Sequence, residues 1–191
     1  MHITLDNFKL RHICVFSIEK LMKIKENLIF LGMMGSGKTS IGLIISQKLN
    51  RNFIDIDQEI EKNLGMKISE IFKTRGEEYF RKIEEKTTLN MLKKKSNVIS
   101  LGGGAFLNNN IKNEILKNHT SFWLNWSPQT LVNRIYKSVK RPITLNASKS
   151  DLIEMINKRS KIYSKALYKI DCENLTKNKI VEKILEIYET S

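Results

Sequence analysis

Two prolines and two cysteines in 191 residues leave little material for linkers or cross-links. No Pro/Gly-rich stretch marks a seam between domains, and the length suits one compact domain burying roughly 70% of its unfolded surface. Cys14 and Cys172 lie far apart without CxxC spacing, which argues against a disulfide framework or a zinc site and suits a reducing, cytoplasmic setting. Long apolar runs are missing too. "HICVFSI" (12–18) is too short to span a bilayer and is followed by Glu19 and Lys20, so no membrane association is expected. Residues 1–25 show no cleavage-site pattern, and Asp6 and Glu19 weaken a transit-peptide reading. They read as an N-terminal extension, disordered or loosely docked, with Met22 an equally good start for a domain spanning 26–191.

What the chain has in excess is positive charge, a formal +13 carried mostly by lysine. Such a field attracts polyanions by counterion release. The lysines of "MLKKKSN" (91–97) and "NKIVEKILE" (178–186) sit among Asn, Glu and Ile, however, as solvated helix faces do, so no nucleic-acid partner is expected. A small anionic substrate would benefit from the same field.

From about Glu26 the pattern becomes regular. "NLIFLG" reads as a buried strand, a glycine loop follows, and "TSIGLIISQKL" has the apolar spacing of a helix packed on a sheet. "NFIDID" (52–57) is a second strand, followed by a helix in "QEIEKNLG" that Gly65 stops. A helical turn around "ISEIF" and a long amphipathic helix over "EEYFRKIEEKTTLNMLKKK" come next. "NVISL" (97–101), "SFWLNW" (121–126) and "YKIDC" (168–172) supply three more strands. "SPQTLVNRIY" opens a helix with Ser127 at the cap and Pro128 at its first position. Strands alternating with helices imply an α/β fold with a parallel sheet covered on both faces, whose ligands bind beyond the carboxyl ends of the strands.

Gly32, Gly37, Lys38 and Thr39 satisfy G-x-x-x-x-G-K-[ST] between an apolar strand and a helix. Glycines let the backbone curl N–H groups around phosphate oxygens, and the helix N-terminus adds partial positive charge. Gly35, Ser36, Gly37, Lys38, Thr39 and Ser40 are therefore expected to hold a nucleoside triphosphate, with Lys38 on the β- and γ-phosphates and Thr39 on Mg²⁺. An Asn-Lys-x-Asp guanine reader is absent: "NKRS" (157–160) and "NKIV" (178–181) lack the aspartate, so the nucleotide is read as ATP.

The acceptor side is more open. Asp55 and Asp57, two apart in "NFIDID", would project to one face of a strand at its carboxyl end. One suits a metal through water and the other a substrate hydroxyl, or Asp57 merely caps a helix beginning at Gln58. "SLGGGAF" (100–106) is either a tight or flexible turn or a row of N–H donors lining a pocket. Arg81 is either a pocket residue or a surface arginine paired with Glu85 one turn on.

Taken together and in this order, "GMMGSGKTS", "DID", "GEEYFRKIE", "GGG" and "RP" resemble the shikimate kinase family across residues 26–189. The resemblance implies a three-layer P-loop nucleoside kinase-like fold, with a five-stranded parallel sheet of order 2-3-1-4-5, a substrate-binding subdomain and a lid over about 137–149. It implies the reaction of ATP with shikimate to give ADP and shikimate 3-phosphate, by a monomer. Asp57 would hold the ring hydroxyls and act as base, and Asp55 would support Mg²⁺ through water. Arg81 and Arg159 would hold the substrate carboxylate, a planar fork suited to that group, with Glu84 orienting Arg81. Gly102, Gly103 and Gly104 would offer backbone donors. Arg141, before Pro142, matches the lid arginine that stabilises charge on the transferring group, and Arg134 an arginine stacked near adenine, whose second wall falls near Thr176 to Asn178. Ser160 and Lys161 follow Arg159 where family members often carry a proline. The competing readings are another small-molecule P-loop kinase, such as one for gluconate, and a basic ATP-binding protein associated with nucleic acid. Met33 and Met34, inside the loop, have no role in either.

Overall fold

The computed structural model describes residues 26–137 and 148–190; the expected N-terminal extension, most of the expected lid and Arg141 lie outside them. The strands are β1 (Leu28–Leu31), β2 (Asn52–Asp55), β3 (Asn97–Ser100), β4 (Thr120–Asn125) and β5 (Tyr168–Asp171). They form one sheet of order β2-β3-β1-β4-β5, parallel throughout. β1 is central and all four of its residues are buried, as a strand covered on both faces requires. Between strands run α1 (Lys38–Lys48), α2 (Ile56–Leu64), α3 (Ile68–Leu92), α4 (Asn109–Asn118), α5 (Pro128–Tyr136), α6 (Lys149–Tyr163) and α7 (Lys177–Thr190). This is the three-layer α/β architecture of P-loop kinases.

Because every strand points the same way, all the strand-to-helix loops gather at one edge of the sheet. The chain goes from β1 to β2 and back to β3 on one side, then crosses to β4 and β5 on the other, which makes the ground beyond β1 the switch point where such sheets bind ligands. The opposite edge is locked by a buried polar knot. Asn27 donates to the carbonyls of Leu92 and Lys94 at 3.0 and 2.6 Å and accepts from the Asn97 backbone at 3.0 Å, tying β1 to β3 and to the end of α3.

Local signals behave as their chemistry dictates. Ser127 caps α5 through the Thr130 amide with Pro128 in the first turn, and Gly65 ends α2 in the left-handed region at φ 63°. Within α3 the path breaks at Gly76 (φ 78°, ψ 171°), so a short helix precedes the long one, which ends at Leu92; Lys93 is its cap and Lys94 and Lys95 lie past it. The second strand is shorter than expected. It stops at Asp55, whose carboxylate accepts from the amides of Asp57 and Gln58 and so starts α2 at Ile56. Asp57 is thus neither a strand residue nor a helix cap. It sits in the first helical turn, and Asp55 is the cap.

Candidate active site

The phosphate loop runs from the end of β1 to the start of α1. Gly32, Gly35 and Gly37 all have positive φ, 139°, 78° and 93°, which glycine alone adopts freely. Lys38 is buried, and its Nζ donates to the carbonyls of Gly32 and Met33 at 2.9 and 3.1 Å, so the ammonium folds back over the loop it follows. The Thr39 hydroxyl donates to Asp55 Oδ2 at 2.7 Å. A hydroxyl and a carboxylate side by side at a phosphate loop form a hard-oxygen donor pair, which fits Mg²⁺: that ion takes one or two protein oxygens and fills its remaining positions from phosphates and water. No cluster of three or more His, Cys, Asp or Glu able to hold a metal occurs among the described residues.

Next to the loop lies a cavity of about 560 Å³. It brings together Asp57 from α2, Arg81 and Glu84 from α3, Gly103 and Gly104 after β3, Arg159 from α6, and Met34 of the loop. Ile68, Phe72 and Phe80 form an apolar wall, so Phe80 is at once buried and a lining residue.

Arg81 Nη1 donates to Glu84 Oε2 at 2.7 Å and its Nη2 to Glu77 Oε1 at 2.9 Å. Glu85 is not its partner; that carboxylate accepts from Asn108 and Asn110 across the turn into α4, which takes it out of Arg81's reach. Glu84 is almost wholly buried and its Oε1 has no hydrogen-bond partner. Burial pushes this carboxyl above the ordinary value, Arg81 pulls it back, and the charge of Asp57 pushes it up again.

The triple glycine resolves differently from a turn that needs unusual backbone. None of Gly102, Gly103 and Gly104 has positive φ, and close approach is the reason for Gly102 and Gly104, whereas a Cβ on Gly103 would meet only ordinary contacts from 3.4 Å outward. A Cβ on Gly102 would stand 2.5 Å from Glu84 Oε1 and 2.7 Å from Asp57 Oδ1; one on Gly104 would stand 2.8 Å from Arg81 Cζ. These glycines let two carboxylates and a guanidinium lie flat on the backbone.

Arg159 Nη1 reaches the Gly103 carbonyl at 3.4 Å and Met33 Sδ at 3.7 Å. The same carbonyl accepts from the Tyr163 hydroxyl, whose burial raises it to about 12 and keeps it a donor. Sequence reasoning missed Tyr163, although it lies one helical turn beyond Arg159 on the same face of α6. It also left Met33 and Met34 without a role. Both are buried, one beneath Arg159 and one in the cavity wall. On the nucleotide side, Arg134 lies over the Trp126 ring with 3.6 Å between its Cζ and the centroid, and its Nη1 reaches the Gly35 carbonyl at 3.4 Å.

Comparison with known proteins agrees with this geometry. The family model described as shikimate kinase matches residues 34–189. The chain belongs to the shikimate kinase family. It is 38% identical over 165 residues to the shikimate kinase of Thermodesulfovibrio yellowstonii, covering 86% of this chain and 95% of that one. With the Bacillus subtilis shikimate kinase it shares 38% over 168 residues, 85% and 88% of the two chains. Among solved structures, the shikimate kinase from Acinetobacter baumannii in complex with shikimate superposes with a TM-score of 0.83 at 26% identity, over 90% of this chain and 97% of that one. Family membership sets aside the gluconate-kinase and nucleic-acid readings. No helix among the described residues is long and apolar enough to cross a membrane.

Proposed function

We propose that this member of the family transfers the γ-phosphoryl group of ATP to the 3-hydroxyl of shikimate, releasing ADP. The observation that carries the reading is the cavity in which two arginines, a carboxylate and a glycine turn converge beside the phosphate loop. Arg81 and Arg159, from different helices, hold one carboxylate with charge-assisted bonds, and Glu84 and Glu77 fix the fork of Arg81. Amides of Gly102, Gly103 and Gly104 face the ring. Asp57 accepts the hydrogen bond of the reacting hydroxyl and takes its proton as that oxygen bonds to phosphorus and the bond from the γ-phosphorus to the β-bridging oxygen breaks.

On the donor side Gly35, Ser36, Gly37 and Ser40 wrap the phosphates, Arg134 supports the base, and Lys38 exchanges the carbonyls of Gly32 and Met33 for phosphate oxygens. Thr39 and, through water, Asp55 would hold Mg²⁺, which would supply neutralisation of the phosphate charge. Arg141, outside the described residues, is proposed as the lid arginine that does the same from above. We place the reaction in the cytoplasm, where the buried free thiol of Cys172 stays reduced, and assign it to a monomer.

A coupled assay of ADP release tests this. ADP should appear with shikimate and ATP, and not with gluconate or RNA in place of shikimate. Turnover with gluconate but not shikimate, or ADP release raised by RNA and indifferent to shikimate, would overturn it.

A further inference from the structure

Trp126 stands at the end of β4, one residue before the cap of α5, and is buried. Nothing in the reaction above uses it. Its indole makes two contacts that join separate parts of the nucleotide site. Nε1 donates to the Ser36 carbonyl at 2.9 Å, across 90 residues of sequence, in the middle of the phosphate loop. The face of the ring lies under Arg134, 3.6 Å from the guanidinium carbon to the centroid, well within cation–π range. The same Arg134 reaches the Gly35 carbonyl at 3.4 Å, so arginine, indole and loop form a closed triangle.

A planar guanidinium has two faces. With the indole on one, Arg134 is held flat and only its other face remains for a ligand, an aromatic heterocycle above all. The adjoining loop after β5 is pinned in turn: Glu173 accepts from the Ser127 amide at 3.0 Å and the Thr130 hydroxyl at 2.6 Å, and the Cys172 amide donates to the Asn125 carbonyl at 2.9 Å. That fixes the floor on which the arginine sits.

We propose that Trp126 is a positioning residue for the nucleobase: its ring holds Arg134 as a flat shelf for the base, while its N–H registers that shelf against the phosphate loop. This rests on the reading of the loop as an ATP site, but not on the identity of the acceptor. An indole beneath the arginine does what a small or aliphatic residue cannot, because an arginine on an aliphatic floor keeps its rotamer freedom and loses the attraction of the ring quadrupole.

The test measures binding, without shikimate, of ADP and of inorganic pyrophosphate to the full chain with Mg²⁺, by calorimetry, for the wild type, Trp126→Leu and Trp126→Phe. Pyrophosphate reports the loop alone and ADP the loop plus the base. Leucine should weaken ADP by about 2- to 30-fold more than it weakens pyrophosphate. Phenylalanine, which keeps a ring but no N–H, should restore most of the ADP-to-pyrophosphate preference while both ligands weaken together. An unchanged preference in Trp126→Leu would overturn the proposal and leave the indole as a strut for the loop. If Trp126→Leu does not fold, Trp126→Phe alone decides: a preference abolished with the ring still in place contradicts a shelf role. Failure of the acceptor reading would appear separately, as intact nucleotide binding without shikimate phosphorylation.

Discussion

Gly104→Ala should separate acceptor binding from everything else the chain does. Gly104 has φ −103° and ψ −16°, an ordinary conformation for any residue, so alanine brings no backbone strain and even trims the entropy of the unfolded chain by about 0.4–1 kcal/mol. Its Cβ, however, would stand 2.8 Å from Cζ and 2.9 Å from Nη2 of Arg81, where ordinary contact begins at 3.4 Å. The guanidinium is the flexible partner and must shift, but Glu84 and Glu77 hold it from the other side. It then meets the substrate carboxylate out of register. One charge-assisted hydrogen bond is worth about 1.5–3 kcal/mol, so the KM for shikimate should rise about 10- to 150-fold. The KM for ATP should not change, and the Tm should stay within a few degrees. Steady-state ADP release at saturating ATP with shikimate varied gives the first number, and the reverse titration gives the second. An unchanged KM for shikimate, or an equal rise for both substrates, would refute the placing of Arg81 against this turn.

Other outcomes follow from the same geometry. Asp57→Asn keeps the shape of the first turn of α2 but removes the base, so kcat should fall by about 100-fold or more; near-normal kcat would make Asp57 a structural residue only. Arg81→Lys replaces a fork by a point charge and should raise the KM for shikimate about 10-fold with a smaller change in kcat, and an unchanged KM would remove Arg81 from the pocket. His119, at the far edge of the sheet, finds no hydrogen bond for either ring nitrogen. Burial holds its imidazole below 6.5, against the charges of Glu114 and Glu26. The folded chain therefore binds fewer protons than the unfolded one. The stability from neutral His119 is complete above about 6.5 and is lost as pH falls through the lowered folded value. His119→Gln should flatten the fall of Tm between pH 7 and 5, and an equally steep fall would contradict this.

How much of this was legible in the sequence depended on whether the signal was local. The Ser127 cap, the Gly65 stop, five strands in alternation and the phosphate loop are each written in a few adjacent residues. The place of Asp57 was misjudged because alternation in "NFIDID" looks like a strand, whereas the Asp55 carboxylate finds two orphan amides and starts the helix two residues early. The partner of Arg81 was open from spacing alone, because i, i+3 and i, i+4 rank Glu84 and Glu85 almost alike; the family resemblance pointed to Glu84, which the structure pairs with Arg81 while the turn into α4 claims Glu85. The triple glycine was ambiguous in one dimension, since what it makes room for comes from α2 and α3. Met33, Trp126 and Tyr163 could not be assigned from periodicity, because each earns its place through a contact 60 or more residues away.

The central claim is that the cavity beside the phosphate loop holds shikimate with one ring hydroxyl on Asp57. The most direct test is the product itself. After incubation with ATP, Mg²⁺ and shikimate, phosphorus and proton NMR should show one new phosphate monoester on the 3-hydroxyl, formed in step with ADP. ADP accompanied by inorganic phosphate and unmodified shikimate, or a phosphate on a different hydroxyl, would contradict the account.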